Sequence, residues 1–239
     1  GSMKSRINKL ECGTCPSKGQ GIFCELEQEA LQDVSNHKVT NTYKKGQTLF
    51  VQGNPPYGMY CVSSGNIKIS QIGQDGKESI VRIASPGDVL GHRSIFTDQY
   101  YSATATAIEE CSVCFIDKRY ILKLVEQKPS VACNLIAKLG RDLGAAEKKV
   151  SSFYQKNVRE RLAELLLLLK ESHGVKDGDK IRLDIKLTRE EMASIIGTAS
   201  ETLIRFLSEL KNEGLIEQRG RVIFITNEEG LLEFANIPY

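Results

Sequence analysis

The stretch "LTREEMASIIGTASETLIRFLSELKNEGLIEQRGRVIFIT", residues 187–226, decides the fold of the C-terminal third. Thr188 is followed three residues later by Glu191. At that spacing a Thr hydroxyl caps an orphan backbone N–H of a first helical turn, and the Glu side chain reaches back to the cap. The box predicts a helix through Ile196, and Gly197 ends it because glycine tolerates the left-handed backbone of a helix stop. Thr198 and Glu201 repeat the spacing and predict a second helix through Lys211, with Leu203, Phe206, Leu207 and Leu210 as its apolar stripe. Two helices joined by so short a turn form a helix-turn-helix. Gly214 and "LIEQRGRVIFIT" come next, a hairpin whose Arg219-Gly220-Arg221 tip projects as a wing.

In a winged helix-turn-helix the second helix enters the major groove of duplex DNA and its first residues meet base edges. Those residues are Thr198, Ser200, Glu201, Thr202 and Arg205. Glu201 and Arg205 lie four apart on one face; a Glu accepts from cytosine N4 and an Arg binds guanine with two hydrogen bonds. The plainer reading of the pair is a cap and a surface ion pair. Thr188, Arg189, Arg219 and Arg221 are candidate phosphate contacts, against the alternative of solvated charge. Charge does not arbitrate: residues 156–239 carry 13 Lys or Arg against 15 Asp or Glu, within a chain of net charge +2. The case for nucleic acid rests on motif and geometry.

Working outward, Tyr43 to Asp117 is a series of short β-branched runs broken by glycine turns, the texture of an all-β jelly roll. Asp75-Gly76, between Ile67/Ile69 and Ile80/Ile83, predicts a hairpin. After Pro129 the apolar residues Ala132, Leu135, Leu139, Leu143, Ala146, Val150 and Phe153 step by three or four, predicting one long helix with a narrow seam. Such a seam suits a two-stranded coiled coil, the alternative being a helix packed on its own roll. In "VRERLAELLLLLKESHG" the apolar run Leu165–Leu169 is far too short to cross a membrane and fits a buried helix face. The polar stretch "HGVKDGDK" is expected to separate this helix from the helix-turn-helix. The fold class is therefore α+β: an arm over residues 1–29, a β-roll over 30–127, a dimerisation helix over 128–156 and a winged helix-turn-helix over 157–239.

A chain of 239 residues suits two domains. Gly1-Ser2 ahead of Met3 reads as a remnant of expression, and no apolar run approaches the roughly 20 residues of a membrane span. Seven cysteines, an odd number without a signal peptide, favour thiols or metal ligands in a reducing cytoplasm over a disulfide framework. An enzyme is not expected. There is no Ser/His/Asp arrangement and no phosphate-cradling glycine loop, and the three histidines, His37, His92 and His173, are scattered.

The segment "LTREEMASIIGTASETLIRFLSELKNEGLI" resembles the helix-turn-helix of the Crp/Fnr family of bacterial transcription regulators, and the resemblance extends over nearly the whole chain. "GDVLGHRSIF" is similar to the family's cyclic-nucleotide cassette, succeeded in the family's order by the long helix and the winged helix. The resemblance implies a cytoplasmic homodimer on an inverted-repeat operator, with Glu201 and Arg205 at base-reading positions and RNA polymerase as a further partner. Ser200 stands where cyclic AMP receptors of the family carry an Arg, and Ile204 where Fnr-type members carry a Ser, so neither half-site carries over.

Cyclic-nucleotide binders of the family grip the ribose with a Glu and the phosphate with an Arg before Ser/Thr-Ala. Here His92 and Tyr101 stand at those places, Tyr101 preceding Ser102-Ala103. Without that guanidinium the phosphate loses its two-pronged partner, so cyclic AMP is not expected. Arg93 can still meet an anion and His92 titrates near neutral pH, which leaves a different small-molecule effector at His92, Arg93, Tyr101 and Ser102 as an alternative. A ligand-binding module without DNA activity is a further alternative.

The arm "ECGTCPSKGQGIFCE", residues 11–25, is similar to the cysteine arm of Fnr-type proteins, which with one β-roll cysteine ligates an oxygen-sensitive [4Fe–4S] cluster. The resemblance implies Cys12, Cys15 and Cys24 with Cys114 as the fourth thiolate, although eight residues separate Cys15 from Cys24, more than the Fnr pattern has. Cys111 and Cys114, three apart on a strand, point to opposite faces and do not serve one site together. Zinc, a redox thiol pair or no centre at all remain alternatives on the residues alone, with Cys24, Cys61 and Cys133 as simple buried hydrophobes.

Overall fold

The computed structural model describes residues 21–237. Contacts divide the chain into two compact units. The first extends to Gln71 and resumes over Val81–Asp142; the second comprises Ile72–Ile80 and the chain from Leu143 onward.

The first unit contains two four-stranded sheets. One has the order β1-β8-β3-β6, formed by β1 (Lys38–Tyr43), β8 (Cys111–Asp117), β3 (Gly58–Ser64) and β6 (Val89–Leu90). The other has the order β2-β7-β4-β5, formed by β2 (Thr48–Phe50), β7 (Thr104–Ala107), β4 (Ile67–Ile72) and β5 (Glu78–Ala84). The helices are α1 (Gln28–His37), α2 (His92–Thr97), α3 (Lys118–Gln127) and the start of α4 (Pro129–Gln155). The period-2 alternation of side chains gives the first sheet two distinct faces. One face joins the other sheet in a core of Phe50, Val62, Ile67, Ala105, Cys111 and Val113. The other face, with Met59, Val89 and Ile116, is covered by Ile22, Leu26, Leu31, Val34, Ile121 and Leu135. Gly58 is required by close approach, since a Cβ there would stand 2.4 Å from the Ile116 carbonyl oxygen.

The second unit contains α5 (Val158–His173), α6 (Arg189–Ile196), α7 (Ser200–Asn212), α8 (Glu228–Phe234) and a sheet of order β11-β12-β10-β9. Its strands are β9 (Gly174–Asp177), β10 (Lys180–Leu183), β11 (Ile216–Arg219) and β12 (Val222–Ile225). Asn157 and Glu160 form a capping box that starts α5, whose Leu162, Leu165, Leu166 and Leu169 are buried. Gly197 ends α6 at φ 72°, and a Cβ there would meet the Phe153 ring at 2.6 Å. Only glycine satisfies both the left-handed backbone and that contact.

The α+β class, the roll and the winged helix-turn-helix are as the sequence predicts, and three local expectations are corrected. The cap of α7 is Ala199, without a side-chain hydrogen bond, so the spacing of Thr198 and Glu201 is no capping box and the helix starts at Ser200. "HGVKDGDK" is no mere separator: it supplies β9 and a two-residue turn at Gly178-Asp179, with Asp177 opposite Lys180. The turn signal lies in Asp177-Gly178-Asp179 itself. The seam of α4 also divides, because Leu135 is buried in its own unit's core while Ile136, outside the expected seam, is 68% exposed.

Candidate nucleic-acid interface and sensor sites

The reading helix is prepared by ordinary helix physics. Thr188 accepts from the Glu191 N–H at 3.0 Å, and Glu191 Oε1 accepts from the Thr188 N–H at 3.0 Å, so the capping box at α6 is closed at both ends. Leu203, Leu207 and Leu210 bury one face of α7. The opposite face leaves Glu201, Ile204, Arg205 and Ser208 exposed, with Ser200 and Thr202 half-buried and Thr198 in the turn ahead. Arg205 lies 5.0 Å over the Phe206 ring, keeping its guanidinium on the surface. The row presents an acid, an aliphatic, a cation and a hydroxyl to solvent. Ile204, noted above as a departure from Fnr-type members, is 50% exposed on that face. Its position one residue before Arg205, off the Leu203/Leu207 stripe, is the signal that marks it.

The arginines differ in their situations. Arg189 is half-buried and turned inward, donating to Gln218 Oε1 at 3.0 Å and to the Arg221 carbonyl oxygen at 3.3 Å. Burial pushes its guanidinium pKa down, and Arg221 nearby adds to the effect. Arg189 thus ties α6 to the wing. Arg219 is exposed beside Phe224, 4.7 Å from the ring, and 3.5 Å from Glu217 Oε2. Arg221 is exposed in the two-residue turn between Arg219 and Val222.

At the effector positions His92 begins α2 and is buried, with no hydrogen-bond partner on either ring nitrogen. Burial pushes its pKa down to about 4; Arg82, Lys138 and Arg93 lower it further and Asp142 opposes them. The ring is therefore neutral at neutral pH. Its 3.8 Å approach to Asp142 Oδ2 is no ion pair, while Arg82 pairs with the same oxygen at 3.1 Å. Tyr101 is also buried, donates from its hydroxyl to the Gly58 carbonyl oxygen at 3.1 Å, and stacks on Phe50 at 4.2 Å. Arg93 donates to Ser102 Oγ. Two of the four residues are thus buried, Tyr101 in the roll's interior and His92 beside Asp142 of α4, and the other two bond to each other. Arg82 and Asp142, which surround His92, are distant from it in sequence and carry no signal of their own.

Among the cysteines, Cys12 and Cys15 lie outside the described residues, and no group of three or more metal-ligating side chains occurs among the described ones. Cys24 is exposed in the turn before α1, not buried as a small hydrophobe, and borders a cavity of about 310 Å³ with Asn134, Lys138 and Arg141. Cys133 is exposed too, against the expectation of a core residue, and Cys61 is half-buried. Cys111 faces the roll's interior, where its thiol donates to the Asn66 carbonyl oxygen at 3.2 Å and burial pushes its pKa up to about 11. Cys114 takes the opposite face, shared with Ile116 and the cluster that includes Ile22 and Leu26. Its thiol lies 3.6 Å from Thr40 Oγ1.

No helix among the described residues is long and apolar enough to cross a membrane. The sequence profile of the "Cyclic nucleotide-binding domain" matches residues 40–128, and that of the "Crp-like helix-turn-helix domain" matches residues 160–234. The chain is 28% identical to a CRP-like cAMP-activated global transcriptional regulator of Mycobacterium tuberculosis, over 90% of this chain and 96% of that one. It is 29% identical to the transcriptional activator protein FnrL of Cereibacter sphaeroides, over 94% and 91%. In structure it is similar to FixK2 from Bradyrhizobium japonicum, with a TM-score of 0.75 over 84% of this chain and 99% of that one at 24% identity, a likeness of fold. The first two relatives are transcription regulators, not enzymes. With a cyclic-nucleotide-type roll and a Crp-type reading head in this order, the protein belongs to the Crp/Fnr family of DNA-binding transcription regulators.

Proposed function

We propose that the protein is a cytoplasmic, homodimeric regulator that binds an inverted-repeat operator through α7 of each protomer and meets RNA polymerase there. The observation that carries the reading is the exposed row Glu201, Ile204, Arg205 and Ser208 on a helix whose other face is buried. Thr198, Ser200 and Thr202 flank the row, while Thr188, Arg219 and Arg221 serve as phosphate contacts and Arg189 positions the wing. Pairing is supported by α4, which exposes Ile136, Leu143 and Val150 at intervals of seven, with Leu139 and Ala146 between them and Phe153 after them. The domain limits are then residues 1–29, 30–127, 128–156 and 157–239.

For the signal, Cys12, Cys15, Cys24 and Cys114 form the ligand set of a [4Fe–4S] cluster. The donors fit in part: Cys24 is exposed beside Ile22, and Ile22 packs in the apolar cluster on the sheet face that carries Cys114. Such a cluster supplies an oxygen-labile centre needing four thiolates. The contact of Arg93 with Ser102 favours a second reading, an anionic small molecule other than cyclic AMP. Anaerobic purification with iron, sulfide and zinc analysis and a visible spectrum tests the cluster. Colourless, metal-free protein that binds its operator equally with and without oxygen removes it. Footprinting tests the operator, and no protected inverted repeat under either condition overturns the regulator reading. Calorimetry with cyclic AMP tests the effector positions, and tight binding there overturns the exclusion of cyclic AMP and, with it, the second reading.

A further inference from the structure

Two cysteines beyond the arm stand side by side. Cys61 on β3 and Cys114 on β8 are direct cross-strand partners in an antiparallel pair. Direct partners have Cα atoms about 4.5–5.5 Å apart and side chains on one face. A disulfide spans Cα separations of about 4.4–6.8 Å, so this pair meets the requirement without backbone movement. Their neighbours define the face: Met59 and Ile116, the partners two residues along, both enter the cluster that includes Ile22 and Leu26, and Cys61 packs against it. Tyr60 and Phe115, between them, turn to the other side and meet ring to ring at 5.2 Å. Cys111 is on that other side, which excludes it as a partner for Cys114. No disulfide joins the two sulfurs in the structure.

We infer that Cys61 and Cys114 form a reversible redox pair that closes to a cross-strand disulfide when the protein meets a hydroperoxide. Cys61, half-buried where Cys114 is buried, takes the oxidant. Its thiolate attacks the O–O bond, giving a sulfenic acid and one molecule of water from hydrogen peroxide. The Cys114 thiol then displaces the hydroxyl from that sulfur, forming the S–S bond and releasing a second water. Two thiols and one peroxide give one disulfide and two waters, and a thiol reductant reverses the oxidation. The pair goes beyond the cluster reading and competes with it for Cys114, since the closed bond withholds that thiolate from any metal and needs no metal to form.

The test uses the full-length protein, treated with hydrogen peroxide, blocked at remaining thiols, digested and analysed by mass spectrometry. The expected result is the Cys61 peptide joined to the Cys114 peptide, with fragment ions placing the bond at Cys114 and not Cys111. Dithiothreitol should release it. In Cys61→Ser the bond is lost; Cys61→Val, close in volume, repeats the test in a core-compatible form, with circular dichroism confirming the fold. Cys61 left open to alkylation after Cys24 and Cys133 have oxidised, or joined to another cysteine, overturns the inference. Iron and sulfide content scores the cluster reading separately: protein that carries none and still forms the bond removes the cluster and keeps the redox pair.

Discussion

At the scale of single residues, Arg205 and His92 show opposite uses of a charged group. Arg205 is held at the surface, where a guanidinium with two donors discriminates guanine by about 1–3 kcal/mol. Arg205→Ala should therefore lose about ten-fold or more affinity for the preferred operator beyond its loss on random DNA, measured by competition binding; equal losses would make Arg205 a phosphate contact. His92 is instead buried neutral among Arg82 of β5, Arg93 of α2, and Asp142 and Lys138 of α4. Its folded pKa of about 4 lies below the ordinary 6.5, so between those values the unfolded chain binds the extra proton. Stability is then unaffected above pH 6.5 and falls as pH drops toward 4, by about 2 kcal/mol at pH 5. His92→Leu should flatten the decline in melting temperature between pH 7 and pH 5, and an unchanged decline would assign it to carboxylates. That His92 departs from the nucleotide-binding pattern is legible in the sequence. Its neutrality is not, because that depends on burial in the folded chain and on cations brought near by the fold, such as Lys138 of α4.

At the scale of elements, the hairpin tip Ile72–Ile80 belongs to the compact unit of the reading head. The Ile80 N–H donates to Ser194 Oγ at 2.9 Å, Ser194 Oγ donates to the Glu78 carbonyl oxygen at 3.2 Å, and Lys149 Nζ donates to the Ile80 carbonyl oxygen at 3.1 Å. One hydroxyl on α6 thus serves both directions of a strand edge. Ser194→Ala should destabilise this docking by about 1 kcal/mol, roughly a five-fold faster amide exchange at Ile80, while exchange in β12 stays constant. The hairpin itself is legible from Asp75-Gly76, because Gly76 adopts φ 74° and Asp75 accepts from the Lys77 N–H at 3.0 Å. Its partner is not, since a strand edge carries no mark of the helix it will meet. The α6 capping box is likewise local and readable, whereas the start of α7 fails because Thr198 lies in the short turn after Gly197, and neighbouring structure outweighs a four-residue pattern.

At the scale of the whole molecule, the protein exposes apolar groups in a regular order. Leu143 is 62% exposed and Val150 is 56% exposed, one heptad apart on α4. A second copy of the same helix would cover that row in register. Leu143→Glu should convert a dimer to a monomer in sedimentation velocity and lower operator affinity by at least ten-fold, since each half-site would then be bound alone. A monomeric parent protein would remove the premise. The order of roll, helix and reading head is readable because each has its own hydrophobic period, two residues in strands and three or four in helices. What the period does not separate is a helix face covered by its own unit from one left for a partner, which is why Leu135 and Ile136 exchange their expected places.

The contact between Gly197 and Phe153 joins the end of α4 to the helix-turn-helix within the second unit. Phe153 ends one side of the joint on α4, and Arg161 lies 4.5 Å over its ring while donating to the Ile196 carbonyl oxygen at 3.0 Å. The glycine side has no atom to spare and a backbone angle no other residue accepts comfortably. A turn of the last residues of α4 would press the Phe153 ring directly on the elbow between α6 and α7.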